Sequence, residues 1–402
     1  MTRSHQNHNK CPLDLWRSAA TQAHAQHHRT LRSAVSLISL LATLPLAAPA
    51  WAQSLSGTAN QQAVGAAVAT LDSGNVLRDA VAQMNADTAR AAFDQLSGEL
   101  HASTATALLE DSRFVREAAL DRMRGAASDG TEVWSRFVSN KGKTDGDANA
   151  TLLNHDTRGV FVGADGQPTS TLRAGVLAGY SRTTFDGLRG DGNSSNVHFG
   201  AHLSGQWDNL ALRLGVTYSK HYIDSTRAVS FATVSNALHG GDNGANTTQL
   251  FGEVGYRIPA EMFTWEPFAN LARVRLSVSP FSLEKDGVAA LKGLGDAASL
   301  TFTTLGVHGQ SQLALGAMEA ALKGSLGWRH AFGDTTPQST LSFASGDAFV
   351  VTGVPVASNM AVLDLGLNFT LTPNAWFNLA YTGQFGSGTT DNGLRGDIRM
   401  RF

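Results

Sequence analysis

The carboxyl-terminal stretch Leu394-Arg395-Gly396-Asp397-Ile398-Arg399-Met400-Arg401-Phe402 alternates between apolar or small residues and charged residues. Side chains of a β-strand point alternately to its two faces, so the stretch predicts a strand with one apolar face and one charged face. A soluble sheet could bury such an apolar face. A chain that ends on it, at the aromatic Phe402, is more typical of an outer-membrane strand between lipid and a wet lumen.

The same period of two recurs through most of the chain after Gly125. Twelve candidate strands lie at about 131–139, 156–165, 171–184, 194–207, 209–223, 247–258, 262–279, 298–313, 317–332, 360–371, 374–386 and 391–402. Five connections are short, whereas most of the others are longer, up to 224–246 and 333–359. Outer-membrane barrels have short periplasmic turns and long external loops, and an even strand number places both barrel ends in the periplasm.

Composition supports the same class of protein. Only 16% of the 402 residues are charged, and glycine is frequent at 41 residues. The formal net charge of −2 provides no strong basic field, so we expect no nucleic-acid partner. After the amino-terminal leader there is no stretch of 18 apolar residues, and a membrane-spanning chain of this kind must therefore be a barrel.

The amino terminus predicts a signal peptide over residues 1–52. Arg29 and Arg32 precede an apolar stretch from Ala34 to Ala48, and an A-x-A cleavage site follows at Ala50-Trp51-Ala52. The only cysteine, Cys11, lies in this leader. The processed chain is therefore expected to have neither a disulfide framework nor a cysteine nucleophile.

Residues 59–124 have a helical composition, interrupted at 72–75, with Asp87 as a candidate N-cap. The last helix, 99–124, is polar on several faces, which fits either a solvent-exposed linker or a helix inside a polar pore. We therefore divide the processed chain into a helical passenger stump and linker helix (53–130) and a barrel (131–402). The expected fold is an all-β membrane barrel, a 12-stranded antiparallel outer-membrane β-barrel whose pore is plugged by an N-terminal helical segment.

Strand parity gives candidate lumen residues. The predicted lumen wall comprises Arg173, Arg213, Glu253, Arg257, Arg273, Arg275, Lys323, Arg329, Arg395, Arg399 and Arg401, with Glu319, Asp364 and Asp397 as further acids. The charged residues predicted for the plug helix are Glu110, Asp111, Arg113, Arg116, Glu117 and Asp121. Either the wall is a generic solvated surface, or it pairs with the helix acids.

The region from about Thr131 to Phe402 resembles the translocator barrel of monomeric (type V) autotransporters. The resemblance rests on Trp134, on the stretches 327–334, 343–349, 351–357 and 381–388, and on the terminal Phe402. The stretches 96–103 and 110–116 resemble the linker that joins passengers to such barrels. Together, and in this order, these motifs cover about two thirds of the chain.

This resemblance implies a barrel in the bacterial outer membrane, with outer-membrane lipid around it and a helix in its pore. It also implies periplasmic chaperones and the barrel-assembly machinery as partners, with Phe402 as the assembly signal, and a passenger delivered to the cell surface. The chain departs from the pattern because only Gln53 to about Gly130 precede the barrel, and the linker contains no Asn-Asn pair for self-cleavage. A small outer-membrane channel and an adhesin that acts through its external loops are the alternative functions.

We expect no enzyme activity, cofactor or metal in this chain, because G-x-S-x-G, H-E-x-x-H and P-loop motifs are missing. The remaining candidate groups are weak: His330 with Asp334, His308 with Ser311, and the pair His198 and His202, which share a strand face. Arg189-Gly190-Asp191 lies in a predicted external loop and is the motif behind the adhesin alternative, with possible host-surface contact. A second such motif, at 395–397, lies in a predicted strand.

Overall fold

The computed structural model describes residues 57–125, 130–187, 190–261, 263–315 and 318–402, so the predicted signal peptide lies outside the described residues. Its helices are α1 (Ala59–Ala69), α2 (Val76–Ala82), α3 (Ala86–Leu96) and α4 (Glu99–Arg124). In this part of the chain, none of the helices combines the length and the apolar character needed to cross a bilayer.

Twelve strands form a closed antiparallel barrel, as predicted. They are β1 (Glu132–Thr144), β2 (Leu153–Gly166), β3 (Leu172–Gly187), β4 (Gly190–Trp207), β5 (Leu210–Phe231), β6 (Val234–Tyr256), β8 (Phe263–Val278), β10 (Asp296–Leu315), β11 (Met318–Gly333), β14 (Asn359–Thr372), β15 (Ala375–Gly386) and β16 (Thr389–Arg401). Each pairs with the next, and the barrel closes where β1 pairs with β16, with Glu132 opposite Arg401. The short strands β7 (Ile258–Pro259), β9 (Leu291–Gly293), β12 (Gln338–Phe343) and β13 (Phe349–Thr352) lie outside this ring of twelve.

The strands have an apolar outer face, which β5 illustrates. Leu210, Leu212 and Leu214 remain 40–45% exposed, whereas Ala211 and Arg213 between them are 3% and 0% exposed. Large apolar side chains therefore point away from the barrel, and the polar or small side chains point into it, which is the reverse of a soluble protein.

The two ends of the barrel differ. One end, here called the turn end, carries the short connections and both barrel termini, and the other is the loop end. The predicted long loop at 224–246 is wrong, because β5 and β6 continue through it as a paired hairpin as far as Phe231 opposite Val234. This extension is stable because Val229 and Leu238 of the hairpin are buried in a second apolar core.

That second core lies in a structure that we call the surface cap: α1–α3, the sheet β9–β12–β13, and the protruding ends of β5 and β6. Val68 and Phe93 of the helices, with Leu71 from the turn between α1 and α2, pack there against Leu341 and Val351 of the small sheet. The stretch predicted as a passenger stump thus folds against the loops of the barrel. The N-cap of α3 is Asn85, whose side chain accepts from the Thr88 N–H at 3.0 Å, and the prediction of Asp87 as the N-cap was wrong.

Candidate functional site

Helix α4 lies inside the barrel. Leu108 and Val115 of the helix belong to one buried apolar cluster with Phe251, Val274 and Phe302 of the wall. The helix therefore carries an apolar stripe for one part of the wall, which explains why its apolar and charged residues are mixed. Within the barrel, its backbone lies nearest to β2–β6 and β8, so it is displaced to one side of the lumen, and only long side chains reach the opposite wall.

The helix begins at a close junction with the surface cap. Gly98 precedes it with φ of 64°, and a Cβ there would lie 2.5 Å from Cδ1 of Leu291 in β9. The backbone N–H of Val354 donates to Ser103 Oγ at 3.0 Å, and a Cβ on Gly353 would lie 2.4 Å from the Ser103 nitrogen. Glycine at both positions lets cap and loop approach the helix backbone closely.

Glu99 is the first residue of α4 and lies at the loop end, outside the membrane-spanning strands. Its carboxylate accepts the backbone N–H of Thr151 at 3.0 Å and the hydroxyl of Ser103 at 3.1 Å. Burial raises the pKa of Glu99 to about 7, although these hydrogen bonds act in the opposite direction.

A second buried carboxylate links the helix to the protruding hairpin. Glu284 contacts His101 of α4 at 2.9 Å and Arg227 of β5 at 2.7 and 2.9 Å. Burial alone would raise the pKa of Glu284, but the Arg227 guanidinium and the hydrogen bonds outweigh it and hold this pKa well below its usual range.

In the middle of the helix, the predicted acids meet polar groups of the wall. Glu110 is bound by Arg329, which lies 2.9 Å from both of its carboxylate oxygens. Asp111 accepts the hydroxyls of Thr157 and Thr183 at 2.6 Å each. These contacts are charge-assisted and shielded from solvent.

The helix cations contact the wall as well. Arg113 donates to Asp391 at 2.6 Å, and Arg116 donates to Gln249 at 2.6 Å. The expectation of a basic wall around an acidic helix is therefore too simple, because the helix and the wall each contribute both cations and anions to these pairs.

Asp121 is the centre of a network toward the turn end. Its carboxylate lies 3.0 Å from Arg136, 2.9 Å from Arg395 and 2.8 Å from Arg124 of the same helix. Arg395 also reaches Asp364 at 2.6 Å. Three cations thus surround one helix carboxylate.

The last turn of the helix is held by wall residues on the other side. Arg122 donates to Asp165 at 2.9 Å and also pairs with Glu132. Arg124 pairs with Glu253, which also binds Arg213.

The free carbonyls at the C-terminal end of α4 are capped by the wall. Arg213 donates to the carbonyl of Met123 at 3.4 Å, and Arg257 donates to that of Arg124 at 3.3 Å. Cations at a helix C-terminus satisfy its unpaired carbonyls and its dipole.

Nine of the eleven predicted wall residues have their side chains on the inner face or at its rim. Among these, Arg173 pairs with Glu132, Lys323 and Arg399 line the cavity beside the helix, and Arg401 donates to Asn374 at the turn end. Of the further acids, Asp364 and Asp397 pair with Arg395, and Glu319 is exposed at the start of β11.

The predicted lumen position is wrong for Arg273 and Arg275. Both side chains are exposed on the outer face of β8, while Ala272, Val274 and Leu276 point inward. The parity was misassigned because the lumen here is apolar, where the wall packs against the apolar stripe of α4.

A cavity of about 410 Å³ lies beside α4. Its walls come from the helix and from β1, β8, β10, β11 and β14–β16. Glu117 of the plug helix lines this space. Ten basic and six acidic side chains line the cavity, so the potential inside it favours anions.

Sequence reasoning overlooked several partners of the helix. Glu132, Arg136, Asp165 and Asp391 share the inward parity of their strands, and that parity was the available signal. His155 of β2 lies between one carboxylate of the helix and one of the wall, 3.8 Å from Asp111 and 3.6 Å from Asp391.

The histidine candidates have ordinary polar partners. His198 contacts Ser181 and Ser219, and His202 contacts Asp165 at 2.6 Å. Within the described ranges, no group of three His, Cys, Asp or Glu side chains is placed to hold a metal ion.

The other candidate groups are not brought together either. His330 contacts Asn359, while Asp334 accepts the backbone N–H of Ser299. His308 stacks on Phe268. In the first Arg-Gly-Asp motif, Arg189 lies outside the described residues, and Gly190 and Asp191 begin β4.

Known proteins resemble this chain in sequence and in fold. The family described as "Autotransporter beta-domain" matches residues 133–382. Two extracellular serine proteases of Serratia marcescens are 35% and 34% identical over 319 residues, which is 77% of this chain and 30% of their length. The chain thus spans less than a third of the length of these relatives.

Two solved structures share the fold. The translocator domain of the autotransporter NalP from Neisseria meningitidis has a TM-score of 0.60 and 15% identity, covering 75% of this chain and 99% of that one. The β-domain of the Bordetella autotransporter Brka has a TM-score of 0.52 and 17% identity, covering 68% and 100%. The barrel is a translocator of the bacterial outer membrane, with lipid around its apolar face and the loop end at the cell surface. Its translocator role is not itself enzymatic. With its family match over more than half of its length, the chain belongs to the autotransporter β-domain family.

Proposed function

We propose that α4 is the anchor by which an exported chain stays threaded through this barrel after secretion. The observation that carries the proposal is the direction of the helix. Its first residues contact the surface cap at the loop end, and its last carbonyl contacts Arg257 near the turn end. Any passenger that precedes α1 would then be displayed outside the cell.

The passenger class is the finer part of the proposal. Two relatives are described as extracellular serine proteases, which supports a secreted serine protease as the cargo of this barrel. The genomic sequence upstream of Met1 tests this idea. An in-frame continuation that encodes a protease supports it, and an immediate in-frame stop codon contradicts it.

We further propose the delivery route for the alternative in which no passenger is encoded upstream of Met1. Residues 1–52 would direct export and be removed after Ala52, and 53–130 would be the stump and linker of the barrel at 131–402. Periplasmic chaperones and the barrel-assembly machinery would then insert the barrel, with Phe402 as their signal. Mass spectrometry of the outer-membrane form should find Gln53 as the first residue, and an intact leader would contradict the cleavage.

Cysteine labelling in intact cells tests the threading. In a Cys11→Ser background no other cysteine is present, so Ser73→Cys reports on the α1–α2 turn and Thr169→Cys on the β2–β3 turn. Both positions are exposed. A bulky polyethylene-glycol maleimide should label position 73 in intact cells and position 169 only after the outer membrane is permeabilised. Labelling of position 73 only after permeabilisation would reject the proposal.

A further inference from the structure

On the outer faces of four strands, the first charged side chain counted from the turn end is basic. From the turn end, the outward residues of β5 are apolar or aromatic from Leu210 to Tyr218, and Lys220 follows. On β8 they are apolar from Phe263 to Leu271, and Arg273 and Arg275 follow. On β2 and β3 the first charged outward residues are Arg158 and Arg182. We call these five residues the basic collar.

Arg158 and Arg182 are direct partners in the register of β2 and β3. Both are exposed, and in the described parts of the chain no carboxylate lies within 4.0 Å of either guanidinium. The nearby Asp156 is 3.8 Å from Lys141 instead. Like charges directly opposite each other in a sheet destabilise it, and an anion between them reverses that effect.

Arg273 and Arg275 are surrounded by hydroxyl groups. Arg273 donates to Thr301 Oγ1 at 2.9 Å, and the register partners of Arg275 are Thr248 and Ser299. Asp334, which directly follows β11, is engaged by the backbone N–H of Ser299 at 2.8 Å. Two guanidinium groups among hydroxyls match the geometry of a phosphate group, which accepts bidentate hydrogen bonds.

We propose that the basic collar binds the phosphate groups of anionic glycolipid in the outer leaflet of the outer membrane. The position of the collar argues for a lipid rather than for free phosphate. On each strand the first collar residue follows directly on the apolar outward residues, at the cell-surface side, where the acyl chains end and the headgroups begin. A glycolipid would place its chains on residues such as Leu250 and Leu271 and its phosphates on the arginines above them.

Double variants of the full chain test the proposal. R158Q/R182Q and R273Q/R275Q each remove two collar charges, and K285Q/K292Q removes two exposed charges from β9 of the surface cap and from the loop before it as the matched control. The proteins are extracted in a non-ionic detergent with EDTA and titrated with diphosphorylated lipid A, dephosphorylated lipid A or inorganic phosphate. Binding is read from the rise in the thermal unfolding midpoint, and heat-modifiable mobility on gels verifies that each barrel is folded.

We expect diphosphorylated lipid A to bind the wild type and the control equally, and each arginine pair variant at least tenfold more weakly. The lysine variant R158K/R182K keeps the charge but loses bidentate geometry, so its affinity should lie in between. Equal binding by all variants would overturn the proposal. If dephosphorylated lipid A binds as tightly as the diphosphorylated form, only the apolar face binds lipid. If inorganic phosphate raises the unfolding midpoint as much as diphosphorylated lipid A does, the collar is an adventitious anion site. Either result also overturns the proposal.

Discussion

Arg329 of the barrel wall places one guanidinium nitrogen 2.9 Å from both carboxylate oxygens of Glu110 in the lumen helix. The two side chains are only 4% and 5% exposed. The pair joins residues that lie 219 positions apart in the chain, and it connects the helix to a strand across from its main packing surface. A buried pair of this kind adds little net stability over an apolar pair, but the loss of one partner leaves an uncompensated charge.

Arg329→Met should therefore destabilise the folded protein by about 3 kcal/mol, because Glu110 would remain buried without its partner. The double variant Glu110→Gln/Arg329→Met should recover part of this loss, since no isolated charge remains. Urea unfolding in detergent micelles, followed by tryptophan fluorescence, measures both effects. Lys143→Met removes one partner of an exposed pair, with Asp145 at 3.3 Å, and should change the stability by less than about 1 kcal/mol. A single variant no less stable than this control would contradict the role of the buried pair.

The lumen helix should block most of the pore. In planar bilayers, the chain from residue 53 to 402 should show a small conductance, and removal of residues 53–124 should increase it. The residual current of the longer chain should favour anions over cations, since ten basic and six acidic side chains line the cavity beside α4. Heat-modifiable mobility verifies that the shortened barrel is folded. Equal and large conductance in both chains would contradict the plug and favour the small-channel alternative.

The barrel was predictable from sequence because its signal is local. The alternation of Leu210 to Tyr218 needs no partner to be interpreted, and the strand number followed from counting such segments. The surface cap was not predictable in the same way, because Val229 and Leu238 become buried only through contacts with distant helices. The inward side of β8 was misjudged for the same reason, since Val274 is an inward apolar residue only where α4 covers it.

The outer end of the helix should become less stable as the pH rises. Glu99 has an ordinary unfolded value of 4.5, and burial raises its folded pKa to about 7. Since the folded state holds this proton more tightly, the stabilisation is complete below pH 4.5 and is lost as the pH rises to about 7. Amide hydrogen exchange in 99–104, corrected for the intrinsic rate, should thus be slower at pH 5 than at pH 8. In Glu99→Gln this difference should largely disappear, and a persistent difference would assign it to another group.

The junction between cap and helix should depend on Gly98 for two separable reasons. Its φ of 64° is strained for any other residue, and a Cβ would lie 2.5 Å from Leu291. Gly74 has a φ of 87° but nothing within 4 Å of its Cβ position, so Gly74→Ala is a control for the backbone effect alone. We expect Gly74→Ala to cost about 1–2 kcal/mol and Gly98→Ala to cost clearly more, measured by thermal unfolding. Equal effects would mean that Leu291 moves aside without cost.

The carboxyl-terminal residue should matter for assembly more through its presence than through its exact aromatic type. Phe402 is 80% exposed at the turn end, and its backbone N–H donates to the carbonyl of Thr131 at 3.0 Å, beside the closing pair of strands. Deletion removes both this hydrogen bond and the terminal aromatic ring, whereas Phe402→Tyr keeps them. We therefore expect the deletion to lower the amount of folded, heat-modifiable barrel in the outer-membrane fraction several-fold and Phe402→Tyr to leave it nearly unchanged. Phe402→Ala separates the two contributions, since it keeps the backbone contact and loses only the ring. A deletion variant that accumulates as well as the wild type would exclude Phe402 as an assembly signal.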